Sequence, residues 1–140
     1  MKLIGKLQSV QNSAVHLIRK KENLQHLSTE EYLRKLHWLP VKKRILFKVL
    51  LLVHKCLNGF VPVALTSLLA YGDSGRTNKL IHSCSKGEFG DRAFSRCGPK
   101  LWNLLPMNIR IESSTEDFKT KLKTFLFQES CDLLTKINEQ

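Results

Sequence analysis

No Cys-X-X-Cys pair occurs in this sequence: Cys56, Cys84, Cys97 and Cys131 stand far apart. With no secretory leader read ahead of them, they are expected to be reduced intracellular thiols rather than a disulfide framework. A zinc site drawn from His82, Cys84 and Cys97 lacks a fourth ligand at a familiar spacing, so no metal is expected. Long apolar runs are missing too. The stretch 45–53 is short and carries Lys48, whereas a helix that spans a bilayer takes roughly 20 apolar residues. The expectation is a chain with no membrane span, cytoplasmic or nuclear.

The signatures of catalysis are equally sparse. There is no phosphate-cradling GxxxxGKS/T, no GxGxxG, no HExxH and no GxSxG. Two-metal polymerase chemistry needs aspartates held close together, yet Asp73, Asp91, Asp117 and Asp132 are isolated. A Cys/His nucleophile pair could be drawn from several cysteines and histidines, but no local signature singles one out. The sequence therefore predicts no catalytic residue and no cofactor.

What is scarce in a more telling way is negative charge. Lys plus Arg number 23 against 12 Asp plus Glu, a net charge of +11 at pH 7. Such an excess favours polyanions through long-range attraction and counterion release, without selecting a base sequence. The remaining composition, 42% hydrophobic and 25% charged over 140 residues, is that of one ordinary folded domain.

Hydrophobic periodicity makes that domain mostly α: about five to six helices with a polar central loop. Residues 1–21 place Leu3, Leu7, Val10, Ala14 and Leu17 at alternating steps of four and three, widened by Ile4 and Ile18. This is an amphipathic helix expected to dock its stripe on the domain. Lys2, Lys6, Arg19, Lys20 and Lys21 occupy its other face, and no acidic residue precedes Glu22. A mitochondrial presequence reads similarly, which leaves mitochondria as an alternative address. Ser28 with Glu31 spells a capping box for a second helix reaching about His37. A third, 41–57, is apolar almost all round between Ile45 and Val53 and is expected to be buried, with Asn58-Gly59 suited to a left-handed cap.

Pro62 opens a short helix, and these pieces form an N-terminal cluster over 1–70. Residues 71–88 turn polar and rich in glycine and serine, a loop with a short extended piece at Leu80-Ile81. In the last part, 89–140, Asp91 is placed to cap a short helix that Gly98-Pro99 should break. Leu101, Trp102, Leu104 and Leu105 form a further apolar turn. A final helix begins near Ser114, with Phe118, Leu122, Phe125 and Leu126 on one side.

The basic run Lys42, Lys43 and Arg44 is the best functional candidate, because successive cations at a helix start oppose its dipole unless an anion lies opposite them. Lys35, Arg92 and Lys100 join it as candidate phosphate contacts. Trp38, between Leu36 and Pro40, reads as a helix-junction residue and Trp102 as core, although exposed aromatics beside cations can also stack on bases.

Three stretches resemble a known family. They are Leu7-Gln8-Ser9-Val10-Gln11-Asn12 with Ala14; Leu36-His37-Trp38-Leu39-Pro40-Val41 with Arg44-Ile45, Phe47-Lys48 and Lys55-Cys56-Leu57-Asn58-Gly59; and Phe89-Gly90-Asp91-Arg92-Ala93-Phe94-Ser95 with Pro99-Lys100-Leu101-Trp102-Asn103 and Leu105-Pro106. In order and in wording these resemble the region after the polymerase core in non-LTR (LINE-type) retrotransposon reverse transcriptases of the CR1-like and L2-like groups. The resemblance implies a helical thumb or post-thumb element that helps hold RNA and target DNA. The family's aromatic-Ala-Asp-Asp catalytic motif and its endonuclease have no counterpart here, so the resemblance implies a truncated or domesticated, non-enzymatic fragment. The functional expectation is a nonspecific RNA- or DNA-binding module. The alternative is a helical protein-interaction module that self-associates or binds partners through exposed apolar helix faces, or an inert remnant.

Overall fold

In a computed structural model of the chain, residues 2–24, 26–71, 78–81 and 93–128 are described. They form α1 (Lys2–Lys21), α2 (Thr29–Lys35), α3 (Val41–Leu57), α4 (Val63–Thr66), β1 (Ala70–Tyr71), β2 (Leu80–Ile81), α5 (Phe94–Asn103), α6 (Met107–Arg110) and α7 (Thr115–Gln128). The protein is thus mostly α, with a two-residue antiparallel ladder that pairs Ala70 with Ile81 and Tyr71 with Leu80. No described helix is long and apolar enough to cross a membrane. Its contacts divide the chain into two compact units, residues 1–45 and 46–140, with the boundary inside α3 and not at the polar loop.

In the first unit, α1 buries a different stripe from the one its leucines suggest. Leu3, Leu7, Val10 and Leu17 stay 77%, 57%, 68% and 69% exposed. The covered stripe is the same four-three spacing shifted by one residue: Ile4, Gln8, Gln11, Val15 and Ile18 are half-buried or buried. Val15 packs with Tyr32 and Leu33 of α2, and Ile18, Leu24, Leu27 and Leu36 close around them. The choice of stripe follows from polar pairing, since Gln8 and Gln11 find partners that no leucine could satisfy.

Ser28 begins α2 as the sequence predicts: its hydroxyl accepts from the Glu31 N–H at 3.2 Å and the Glu31 carboxylate accepts from the Ser28 N–H at 2.8 Å. α2 ends earlier than expected, because His37 takes a left-handed conformation, φ 53°. The N–H groups of Trp38 and His37 then close on the carbonyls of Leu33 and Arg34, the double bond of a Schellman end. The same pattern ends α1 at Asn23 (φ 55°) and α3 at Gly59 (φ 73°). Asn58-Gly59 thus caps α3 as its sequence indicates.

In the second unit, α3 buries Leu46, Leu50, Val53, His54 and Cys56, and its other apolar residues are half-buried, with Ile45 43% exposed. The helix is therefore one-sided rather than buried all round. Gly98-Pro99 does not break a helix either: α5 runs straight through, with Ala93 at its N-cap in place of Asp91, which lies outside the described residues. Tertiary packing overrides local propensity at this point. Pro99 is buried with Leu101 and Trp102, and Gly98 lets α5 approach α3 so closely that a Cβ there would stand 3.1 Å from Val53 Cγ2. On α7, Ser114 accepts from the Asp117 N–H, and Phe118, Leu122 and Leu126 are buried, with Phe125 half-buried.

Two glycines in helix interiors should respond oppositely. Gly98→Val is expected to destabilise the fold by about 1–3 kcal/mol through overpacking. Gly5→Ala, where an added Cβ meets nothing within 4 Å, should stabilise by roughly 0.5–1 kcal/mol through helix propensity. Urea unfolding followed by circular dichroism reads both.

Candidate functional site

The start of α3 is built by two glutamines of α1. Gln8 Oε1 accepts the Val41 N–H at 2.9 Å, and Gln11 Nε2 donates to the Leu39 carbonyl at 3.0 Å. The two side chains are tied to each other, Gln8 Nε2 donating to Gln11 Oε1 at 3.1 Å and to Asn12 Oδ1 at 2.9 Å. A helix start leaves its first N–H groups without partners. Pro40, just before α3, has no side-chain acceptor, and the Gln8 amide of another helix supplies one.

From that anchored start the candidate cations emerge. Lys42 and Arg44 are exposed and Lys43 is half-buried, all in the first turn of α3, which holds no acidic residue. Lys35 lies in the last turn of α2, where it pairs with Glu22 at 3.7 Å and sits 5.7 Å from the Tyr32 ring centroid. That arrangement spends part of its charge inside the unit. Lys100 belongs to α5 of the second unit and is half-buried. Arg92 lies outside the described residues. Among the described candidates, the structure brings Lys42, Lys43 and Arg44 together on one helical turn.

Beside this turn is an apolar groove of about 660 Å³, lined by Leu7, Val10, Ala14, Trp38, Val41 and Ile45, with Arg44 and Gln11 contributing polar edges. Trp38, 37% exposed, is a junction residue as predicted, standing where α2 ends and facing this groove.

Trp102 is core, 1% exposed. Its ring stacks on Phe118 at 5.8 Å, and Phe118 stacks on His54 at 4.1 Å. The indole N–H donates to the Asn78 carbonyl at 2.8 Å. Next to it, the Asn103 amide accepts from Leu80 N–H at 2.9 Å and donates to Leu80 C=O at 2.8 Å. A side chain thereby completes the pairing of a strand only two residues long.

His54 is the residue that sequence reasoning overlooked, hidden within the apolar run of α3. It is fully buried, its Nε2 lies 2.8 Å from the Glu112 carbonyl, and Nδ1 has no hydrogen-bond partner. Nε2 also lies 3.2 Å from the Asn58 Nδ2, which only donates, but the shorter contact is with the carbonyl, which only accepts, and it assigns the proton to Nε2 and leaves Nδ1 bare in the neutral ring. Burial pushes its pKa below the ordinary histidine value, partly offset by the Glu112 carbonyl. Glu112 itself is held low by its bond with Lys121.

The buried Cys56 and half-buried Cys97 are free thiols, both raised in pKa by burial and so kept protonated. His82 and Cys84 of the candidate zinc set lie outside the described residues. Among the described residues no three His, Cys, Asp or Glu side chains are grouped to hold a metal ion.

Removing the buried Gln11 amide strands the Leu39 carbonyl, so Gln11→Ala should cost about 1–3 kcal/mol of stability, while Asn12→Ala, exposed, should cost well under that. Denaturant midpoints compare them. For His54, the folded chain binds fewer protons than the unfolded chain between its depressed pKa and the ordinary value of about 6.5. Its contribution is complete above about pH 6.5 and is lost as pH falls through the window down to the folded value. Denaturation curves at several pH values should show wild type losing stability in that window more steeply than His54→Gln.

Set against protein-family models, curated proteins and solved structures, the chain matches none of them.

Proposed function

We propose that the chain is a non-catalytic, retrotransposon-derived basic helical fragment that binds RNA or DNA without sequence preference, through phosphate contacts. The observation that carries this reading is the first turn of α3, where Lys42, Lys43 and Arg44 follow one another at the positive end of a 17-residue helix whose own first turn holds no acidic residue. The helix dipole and the three side chains add with one sign, which is what a phosphate backbone neutralises. The net charge of +11 adds long-range attraction to that local field.

Retrotransposon descent is supported by the three stretches of shared wording, and their residues have interlocking structural work. Gln8 and Gln11 of the first stretch bond to Val41 and Leu39 of the second, and Trp102 and Asn103 of the third hold the segment around Leu80. Such reciprocal contacts would keep the wording together after catalysis is lost. A second reading, a helical protein-interaction module, is favoured by one specific observation, the exposure of Leu3, Leu7, Val10 and Leu17 along α1.

Binding of labelled single-stranded RNA across a salt series tests the first reading. Affinity should fall with salt at a log-log slope of roughly 0.7 for each phosphate neutralised. Replacing Lys42, Lys43 and Arg44 together with Ala should reduce the slope by about 2 and weaken all RNA sequences alike. Absence of binding at low salt would remove nucleic acid as the ligand.

A further inference from the structure

α1 carries two stripes with one spacing, offset by a single residue. The stripe through Gln8, Gln11 and Val15 is used inside the unit. The other, Leu3, Leu7, Val10, Ala14 and Leu17, keeps its leucines and valine at 57–77% exposure. Steps of four and three sustained over this length are the a/d pattern of a helix that packs against another helix, knobs into holes. Leu7, Val10 and Ala14 also form one side of the 660 Å³ groove whose opposite side is Trp38, Val41 and Ile45. An apolar trough between two helical segments is the shape in which an amphipathic helix lies.

The charges decide which helix. With Leu7 and Ala14 at the a positions, Lys6 and Lys20 fall on the flanking g positions, both exposed, and Arg44 edges the opposite wall. Among the described residues no carboxylate lines the groove, and residues 2–21 contain none. We propose that this groove binds an acidic amphipathic helix of a partner protein, with leucine-like residues in the trough and Glu or Asp against Lys6, Lys20 and Arg44. A second copy of the chain would set cation against cation along the same seam, which disfavours it. A bilayer requires apolar side chains on an outward ridge, whereas Leu7, Val10 and Ala14, the middle of the stripe, line a concavity. A nucleic acid would engage the cations and leave Leu7, Val10 and Ile45 uncovered.

The test uses the full chain and three fluorescently labelled synthetic helices of about 20 residues, long enough to span the stripe. One has Leu at a and d with Glu on the flanks, one has the same Leu with Lys on the flanks, and one keeps the Glu but replaces Leu with Ser. At about 150 mM salt, where long-range attraction is screened, the first should bind saturably with one peptide per chain. The other two should bind at least about tenfold more weakly, a gap of roughly 1.4 kcal/mol. Leu7→Ser with Val10→Ser should lose at least about tenfold in peptide affinity while circular dichroism and RNA binding stay unchanged. Should that double variant lose helicity, Ile45→Ser on the opposite wall serves instead. Reversing Lys6 and Lys20 to Glu should switch preference to the Lys-flanked peptide.

Equal binding of the Leu and Ser acidic peptides would overturn the proposal, since charge alone would then suffice. So would a dimer in sedimentation that Leu7→Ser and Val10→Ser dissolve, or stripe-dependent capture by anionic phosphatidylserine vesicles without peptide binding. Because RNA binding is read separately on the same variants, failure here leaves the nucleic-acid reading standing, and the reverse also holds.

Discussion

Helix ends are the constraint on which this structure depends. The described residues hold seven helices, so an unsatisfied turn of N–H or C=O groups recurs every few residues, and each must find a partner or water. The chain solves most ends locally. Ser28 and Glu31 close the start of α2, and Asn23, His37 and Gly59 turn left-handed to close the ends of α1, α2 and α3. The starts of α4, α5 and α6 follow Pro62, Ala93 and Pro106 and have no side-chain cap. The start of α3 also follows a proline, with Val41 and three cations as its first side chains, but draws a cap from elsewhere in the chain. Its cap comes from Gln8, 33 residues earlier. That one non-local bond, with Gln11 beside it, fixes which way α1 turns and therefore which of its faces is left outside.

Much of the helical layout was legible because it rests on short-range rules. A 3.6-residue period, Ser-x-x-Glu and Asn-Gly each act within a turn or two, and each led to the right element. The choice of buried face on α1 was not legible, for a physical reason. Two stripes share the spacing, and the more hydrophobic one points outward because the other carries the glutamines that α3 requires. Hydrophobicity ranks stripes by transfer free energy; a buried amide with satisfied bonds can reverse that ranking, since an unpaired carbonyl costs about as much as a buried methylene or two contributes. Gly98-Pro99 misled for a related reason. A glycine that signals a break in an isolated segment is, in the folded chain, the point where α5 can touch Val53.

His54 shows the limit of the same reasoning for sites. A histidine inside an apolar run invites a chemical role, and its bare Nδ1 could serve as a base or ligand. Here it is walled in by Phe118 and Trp102, with a carbonyl on Nε2 and no solvent at the ring. An acceptor nitrogen left unpaired is less costly than an unpaired N–H would be, so the neutral tautomer is what the packing selects. The ring is thus a polar piece of the aromatic core whose protonation state is tied to folding.

In the first unit, charge and apolar surface lie side by side. Arg44 belongs both to the basic turn and to the edge of the groove. A phosphate backbone drawn to Lys42, Lys43 and Arg44 and an acidic helix seated on Leu7 and Val10 would therefore draw on one guanidinium. Sharing it makes the two occupants antagonistic by linkage: each weakens the other by the same factor, whichever binds first. The size of that factor is bounded by what one shared, exposed cation can contribute, on the order of 1 kcal/mol or about fivefold. A larger antagonism would require the two ligands to overlap sterically, and the groove lies on the α1 side of α3 while Lys42 is one helical position, about 100°, round from Val41. On this geometry an acidic helix in the groove would weaken polyanion binding at the basic turn by no more than that factor and would not abolish it.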